Sequence, residues 1–184
     1  MGDSKSVLLF DTGPTATIWE ANVRRLGIRL ELIDIIVLSH WHKDHSGIQS
    51  LTQIHFYLLI TQGGMIRAVE MISAARKSVA KSAPVVVDLH PDRPAFRGFR
   101  TPMGIISLQA DPSFDELEVA GARVNTNAQT HVVGNGSFLI SGEIPRTTAY
   151  EVGLLRGMRF EHGKGWVEDE MIRDERFVMC NLKG

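Results

Sequence analysis

Ser39-His40-Trp41-His42-Lys43-Asp44-His45-Ser46-Gly47 is the stretch that decides how the rest of the chain reads. Three histidines and one aspartate, His40, His42, Asp44 and His45, fall within six residues. They follow the apolar run Ile35-Ile36-Val37-Leu38, which reads as a buried strand. Neutral imidazole and carboxylate are ligands that zinc, iron and manganese accept. Side chains alternate along a strand, so His40 and His42 point to one face if the strand continues. A loop after it turns Asp44 and His45 towards a second point. The pattern suits two adjacent metal ions, each completed by ligands from elsewhere. The plainer alternative is a solvated, His-rich loop at a strand end.

Working outward, Val7-Leu8-Leu9-Phe10 is a short strand that ends at a Gly-Pro turn, with Asp11 at its C-terminal end. Asp11 is either a turn aspartate or part of the site. A helix follows from Thr15 to Leu26, capped by Thr15 or Thr17 and stopped by Gly27. Strand, helix, strand, then ligands at the strand's C-terminal edge is an α/β order, and sites in such sheets lie at that edge.

Residues 48–63 are apolar but keep neither helical nor strand period. His55 within them reads as a packing histidine. Met65 to Lys81 is the strongest helix, with Met65, Val69, Ile72, Ala75 and Val79 on one face and Arg67, Glu70, Arg76 and Lys77 on the other. Val85–Leu89 is a strand with His90 at its end, a surface residue or a further ligand. Residues 91–104, with Arg93, Arg97 and Arg100, read as a solvated loop that could instead offer guanidinium groups to an anion. Ile105–Leu108 is a strand and Phe114–Ala120 a short helix. Val124, His131–Val133 and Ser137–Ser141 suggest further short strands, with His131 structural. Residues 150–165 read as a loop or lid. Phe177–Cys180 is a last strand on which Cys180 is expected to be buried.

The H-x-H-x-D-H spacing resembles the signature of the metallo-β-lactamase fold superfamily. Leu8-Leu9-Phe10-Asp11-Thr12-Gly13 resembles the strand and turn that precede it there. Ser141-Gly142-Glu143-Ile144-Pro145-Arg146 and His90-Pro91-Asp92 resemble one branch, the dihydropterin/ribofuranosylaminobenzene-phosphate synthase-related proteins. The resemblance implies a four-layer αββα sandwich and a metal-dependent hydrolase acting on an ester, lactone, phosphoester or pterin-type molecule. It implies metal ligation by His40, His42, Asp44 and His45, with Asp44 also catalytic, and makes His90 a further candidate ligand. Asp11 would hydrogen-bond the metal loop from below, and Glu143 and Arg146 would line the site. The cofactor would be a divalent metal, zinc first, then iron or manganese. In that branch a Gly-Cys-Ser-His-Ala-Gly type motif and a final histidine follow the strand resembling Phe177–Cys180. This chain stops at Gly184 before them, so an incomplete C-terminal half is expected. Superfamily members usually carry Gly-Gly after the His-Ser pair, and joining Gly47 to Gly64 restores that junction. Residues 48–63 are therefore either an insertion or an ordinary element of the subfamily.

At 184 residues the chain reads as a single domain, 1–184, with an ordinary 43% hydrophobic and 22% charged content. A net charge of −1 gives no reason to expect nucleic acid or an anionic membrane as partner. Cys180 is the one cysteine, so no internal disulfide forms and a reducing, cytoplasmic setting is expected. No basic-then-apolar leader opens the chain, which argues against secretion. The expected partners are a small-molecule substrate and, through unpaired sheet edges, a second copy of the chain. The competing class is a truncated, catalytically silent protein that binds metal or self-associates.

Overall fold

The structure, a computed structural model, describes residues 5–47, 50–51, 60–61 and 63–180. Its centre is a parallel sheet of four strands in the order β1 (Val7–Phe10), β2 (Ile33–Val37), β5 (Val85–Leu89) and β8 (Ala122–Thr126). Helices α1 (Ala16–Leu26), α3 (Gly64–Ser78) and α4 (Phe114–Val119) pack against this sheet. Thr15 caps α1 by accepting from Ile18 N–H, and Gly27 ends it in the left-handed region at φ 60. A capping box between Ser113 and Glu116 opens α4.

The strand that leads into the histidines is sandwiched. Ile36 and Leu38 join Trp19, Val23, Met65, Val69, Ile72 and Leu117 in a core between the sheet and the helices. Ile35 and Val37 point the other way and pack with Ile140, Val133 and Val178. Those partners belong to an antiparallel sheet in the order β13 (Val178–Cys180), β10 (Phe138–Ile140), β9 (His131–Val133). Period-two alternation therefore gives one strand two cores, and each fully buried aliphatic side chain contributes about 1.5–3 kcal/mol. The layers run helix, sheet, sheet, and no second helical layer occurs among the described residues. A third sheet, β12 (Gly165–Glu168), β11 (Gly157–Glu161), β6 (Phe96–Thr101), β7 (Gly104–Ser107), is antiparallel throughout. Among the described residues, no helix is long and apolar enough to cross a membrane.

Several expectations are corrected. Residues 91–104 are not a solvated loop, since β6 and the start of β7 run through them. On β6 the pattern is inverted: Phe96 is exposed and Arg97 is 2% exposed. The supposed lid at 150–165 contains β11 and the turn into β12. Arg76, placed on the solvent face of its helix by periodicity, is buried and donates to the carbonyls of Ile33 and Ala83. Cys180 is exposed.

Within 48–63, Ser50–Leu51 (β3) pairs antiparallel with Ile60–Thr61 (β4), while His55 and most of the segment lie outside the described residues. The ends of the segment meet. A Cβ placed on Gly47, at φ 105, would sit 2.1 Å from the nitrogen of Gly64 and 2.6 Å from the Cα of Gly63. A Cβ on Gly64 would sit 2.2 Å from the carbonyl oxygen of Gly13. Three backbone segments touch here in a way that only glycine permits.

Candidate metal centre

The chain leaves β2 through Leu38 and Ser39 and turns into a single helical turn, α2 (Lys43–Ser46). The carbonyl of His42 closes this turn by accepting from the N–H groups of His45 and Ser46 at 2.9 and 3.0 Å. The turn is fixed to the end of β1, where Thr12 donates to the His45 carbonyl from its N–H and its hydroxyl, each at 3.1 Å.

Asp11 organises the floor of the site. It sits at φ 59, a conformation that Asp tolerates better than most residues. Its Oδ1 accepts from Ser39 N–H at 2.8 Å and its Oδ2 from the Ser39 hydroxyl at 2.8 Å. The same Oδ2 lies 2.7 Å from Nδ1 of His45. The Ser39 hydroxyl, donating to Asp11, accepts from Nδ1 of His40 at 3.0 Å. A consistent assignment puts a proton on Nδ1 of both rings and leaves both Nε2 lone pairs available. Hydrogen-bonded carboxylates and hydroxyls orient metal-ligating histidines in this way.

The rings form one cluster. Those of His40 and His42 are 4.8 Å apart edge to face, and those of His40 and His45 are 4.3 Å apart. Nε2 of His45 lies 3.4 Å from the Asp44 carboxylate, which is largely exposed. Burial lowers the pKa of His40, and burial with the charge of Arg97 pushes His42 down to about 3. Both are neutral imidazoles at physiological pH, the form that binds metal. The hydrogen bond that His45 donates to the Asp11 carboxylate raises its pKa above the ordinary value.

The donor chemistry therefore fits a divalent metal held by His40, His42, Asp44 and His45. The donors are adjacent rather than convergent. Among the described residues, no group of three or more His, Cys, Asp or Glu side chains is arranged to hold an ion.

The other candidates lie around this cluster. His90 sits at the end of β5, and its Nδ1 accepts from Asp92 N–H at 3.1 Å. Its carbonyl accepts from the Trp41 indole at 3.1 Å, so its backbone supports the loop. Arg146 pairs with Glu175 at 2.7 Å, and the charge of Glu175 acts on both His40 and His45. Glu143 is mostly exposed, 3.9 Å from Arg173, and acts on His90 through its charge. An open cleft of about 510 Å³ borders the cluster, lined by His40, His42, Lys43 and Asp44 on one side. Phe99, Leu108, Leu154 and Ile172 line the other.

A buried charged layer behind the loop had no signal in local sequence periodicity. Arg176, fully buried, pairs with Asp88 at 2.8 Å and donates to the Leu38 carbonyl at 2.9 Å, while its own N–H donates to Ser39. Asp88 also accepts from Nε2 of His131 at 2.8 Å, which gives that structural histidine its role. Arg97 pairs with Asp169 and Asp174. Asp111, whose pKa burial raises, contacts the Ser46 hydroxyl.

No family model and no curated protein matches this sequence. Solved structures do match. One is Tm1679, described as a metal-dependent hydrolase of the beta-lactamase superfamily, with a TM-score of 0.55 and 17% identity, covering 94% of this chain and 50% of that one. Another is MEM-A1, a subclass B3 metallo-beta-lactamase from a soil metagenome library, with 12% identity over 89% of this chain and 51% of that one. Its TM-score of 0.37 is too low to carry an argument. The chain has a mixed α/β fold similar to that of metallo-β-lactamase fold proteins. It spans about half the length of the structures it matches.

Proposed function

We propose that this chain is a metal-dependent hydrolase of small molecules, with its reaction centre where the His40–His45 turn meets the cleft. The observation that carries the reading is the pair of Nδ1 atoms tied down by Asp11 and Ser39. This arrangement leaves the Nε2 atoms of His40 and His45 available, with that of His45 3.4 Å from the Asp44 carboxylate. With ring centroids 4.3 and 4.8 Å apart, the imidazoles belong to one cluster near enough to share an ion, for which the usual Zn–N distance is about 2.0–2.1 Å. Zinc is the first choice on this donor set, with iron or manganese as alternatives.

A bound divalent ion supplies Lewis acidity and a water acidified to about neutral pH. The chain's own residues do the rest. His40, His42, Asp44 and His45 hold the ion. Asp44, whose side chain is 69% exposed, takes up and returns the transferred proton. Phe99, Leu108, Leu154 and Ile172 exclude water from one side of the substrate. Lys43 is half-buried at the cleft with no ion-pair partner among the described residues, and its ammonium suits an anionic group on the substrate. Esters, lactones, phosphoesters and pterin-type molecules are the substrate classes that this cleft and chemistry suit. Glu143 and Arg146 line the approach, and a cytoplasmic setting is part of the same proposal.

The test is metal analysis of freshly purified protein together with hydrolysis of a panel drawn from those classes. About two metal ions per chain and hydrolysis abolished by a chelator support the enzyme. One observation favours a second reading, a catalytically silent metal-binding protein: no three donors converge among the described residues. One ion or fewer, with no hydrolysis, supports that reading.

A further inference from the structure

Trp41 stands between two of the candidate ligands, and its peptide groups are held from both sides by one buried ion pair. Its N–H donates to Oδ2 of Asp174 at 2.7 Å. Its carbonyl accepts from Nη1 of Arg97. Nη2 of Arg97 pairs with the other oxygen of Asp174, so both contacts belong to a single fork-to-carboxylate unit. The Arg97 and Asp174 side chains are 3% and 0% exposed. Nε of Arg97 is fixed in turn by Asp169 at 2.7 Å.

The indole is anchored as well. Trp41 is 0% exposed, donates to the His90 carbonyl, and its ring lies 5.8 Å from that of Phe114. With side chain and both peptide groups fixed, the residue between His40 and His42 has no freedom to rotate. The two imidazoles therefore leave the backbone in fixed directions. Geometry of this kind needs support from groups whose own positions are locked.

Burying two charges is costly, and a buried ion pair commonly does no better than apolar residues of similar volume. Net stability alone is thus a poor account of this pair. We propose that Arg97 and Asp174 are positioning residues, whose ion pair sets the direction of His40 and His42 through the Trp41 peptide groups. The inference rests on the metal-binding part of the function proposed above.

The test compares Arg97→Lys and Asp174→Asn with Arg76→Lys. Lysine keeps the charge of Arg97 but lacks the fork needed to reach Asp174 and the Trp41 carbonyl together. Asparagine keeps an acceptor for Trp41 N–H and loses the charge. Arg76 is the structural reference: its side chain is 5% exposed and bonds backbone carbonyls at the other end of the same sheet. Each variant is measured for zinc affinity against a competing chelator, for the ¹⁵N shifts of the histidine rings in chelator-treated protein, and for thermal stability. Arg97→Lys and Asp174→Asn should lower zinc affinity by about 10–100-fold, the usual effect of losing an outer-shell partner, and move the His40 and His42 resonances. Arg76→Lys should lose stability without either change. Equal loss of zinc affinity in Arg76→Lys at matched stability, or unchanged affinity and ring shifts in Arg97→Lys, overturns the proposal. If Arg97→Lys does not fold, Asp174→Asn decides on the same readouts. Neither readout depends on catalysis, so a protein that binds zinc this way and hydrolyses nothing refutes the enzyme and leaves the positioning role intact.

Discussion

Asp11 and His45, 34 residues apart, meet at 2.7 Å between Oδ2 and Nδ1, and this contact ties the end of β1 to the loop after β2. The carboxylate fixes which nitrogen of His45 carries the proton and where its Nε2 points. Asp11→Asn should therefore weaken metal binding by about 10–100-fold while leaving all four proposed ligands in place. His42→Ala, which deletes a ligand, should lower bound metal at least about tenfold. Metal titration of both variants checks this. Unchanged affinity in His42→Ala would remove the metal centre from this loop.

Acid should loosen the support behind the histidines. Burial raises the Asp174 carboxyl, but Arg97 and the Trp41 N–H outweigh it and leave the pKa below the ordinary 3.8. The folded value lies under the unfolded one, so its contribution to stability is present above about pH 3.8 and is lost as pH falls through the folded value. Burial raises Asp169, the other partner of Arg97, so its contribution runs the opposite way. Unfolding free energy measured from pH 6 downward should show an acid-side loss that is smaller in Asp174→Asn. An identical acid slope in that variant would exclude Asp174 as a source.

Much of this arrangement was legible in the sequence, for identifiable reasons. The Ile35–Leu38 run is continuous because both faces of β2 are buried, and the ligand-type residues follow at once. Thr15 and Gly27 mark their helix because capping is local chemistry. Arg97 was misread because its partners, Asp169 and Asp174, are 72 and 77 residues away. No local period can report that an arginine is buried when the groups that satisfy it come from a distant segment. Arg76 was misplaced for the same reason, since the carbonyl of Ile33 lies 43 residues from it in sequence. The run from Asp169 to Arg176 is dense in charge and resembles solvated surface, yet Asp174 and Arg176 are among its most buried residues.

The close approach of Gly47 to Gly63 and Gly64 makes residues 48–63 removable in principle, because the ends to be joined are already in contact. A variant linking Gly47 directly to Gly64 should be at least as soluble and as thermally stable as the parent. Gly47→Ala should be destabilised, because its Cβ would meet backbone and its φ of 105 disfavours a side chain. Thermal melts of the two variants decide the matter. If the deletion unfolds the protein, the segment belongs to the core and is no insertion.

Among the described residues, β1 and β13 are both edge strands, and each presents apolar surface. Phe10 is 43% exposed at the end of β1, and Met179 on β13 is 56% exposed, with Phe177 just before it at 44%. An edge offers unpaired backbone donors and acceptors to another strand. The chain carries little net charge to oppose self-association, at −1. At about 25 cal/mol per Å² of apolar area, covering a few hundred Å² would contribute several kcal/mol to association, comparable to the net stability of a domain. A second copy of the chain is the expected occupant. Light scattering at low micromolar concentration should report a mass above that of one chain. Phe10→Lys and Met179→Lys, which place charge on the two edges, should return it towards 20.4 kDa. A parent protein that is monomeric across that concentration range would rule out self-association through these edges.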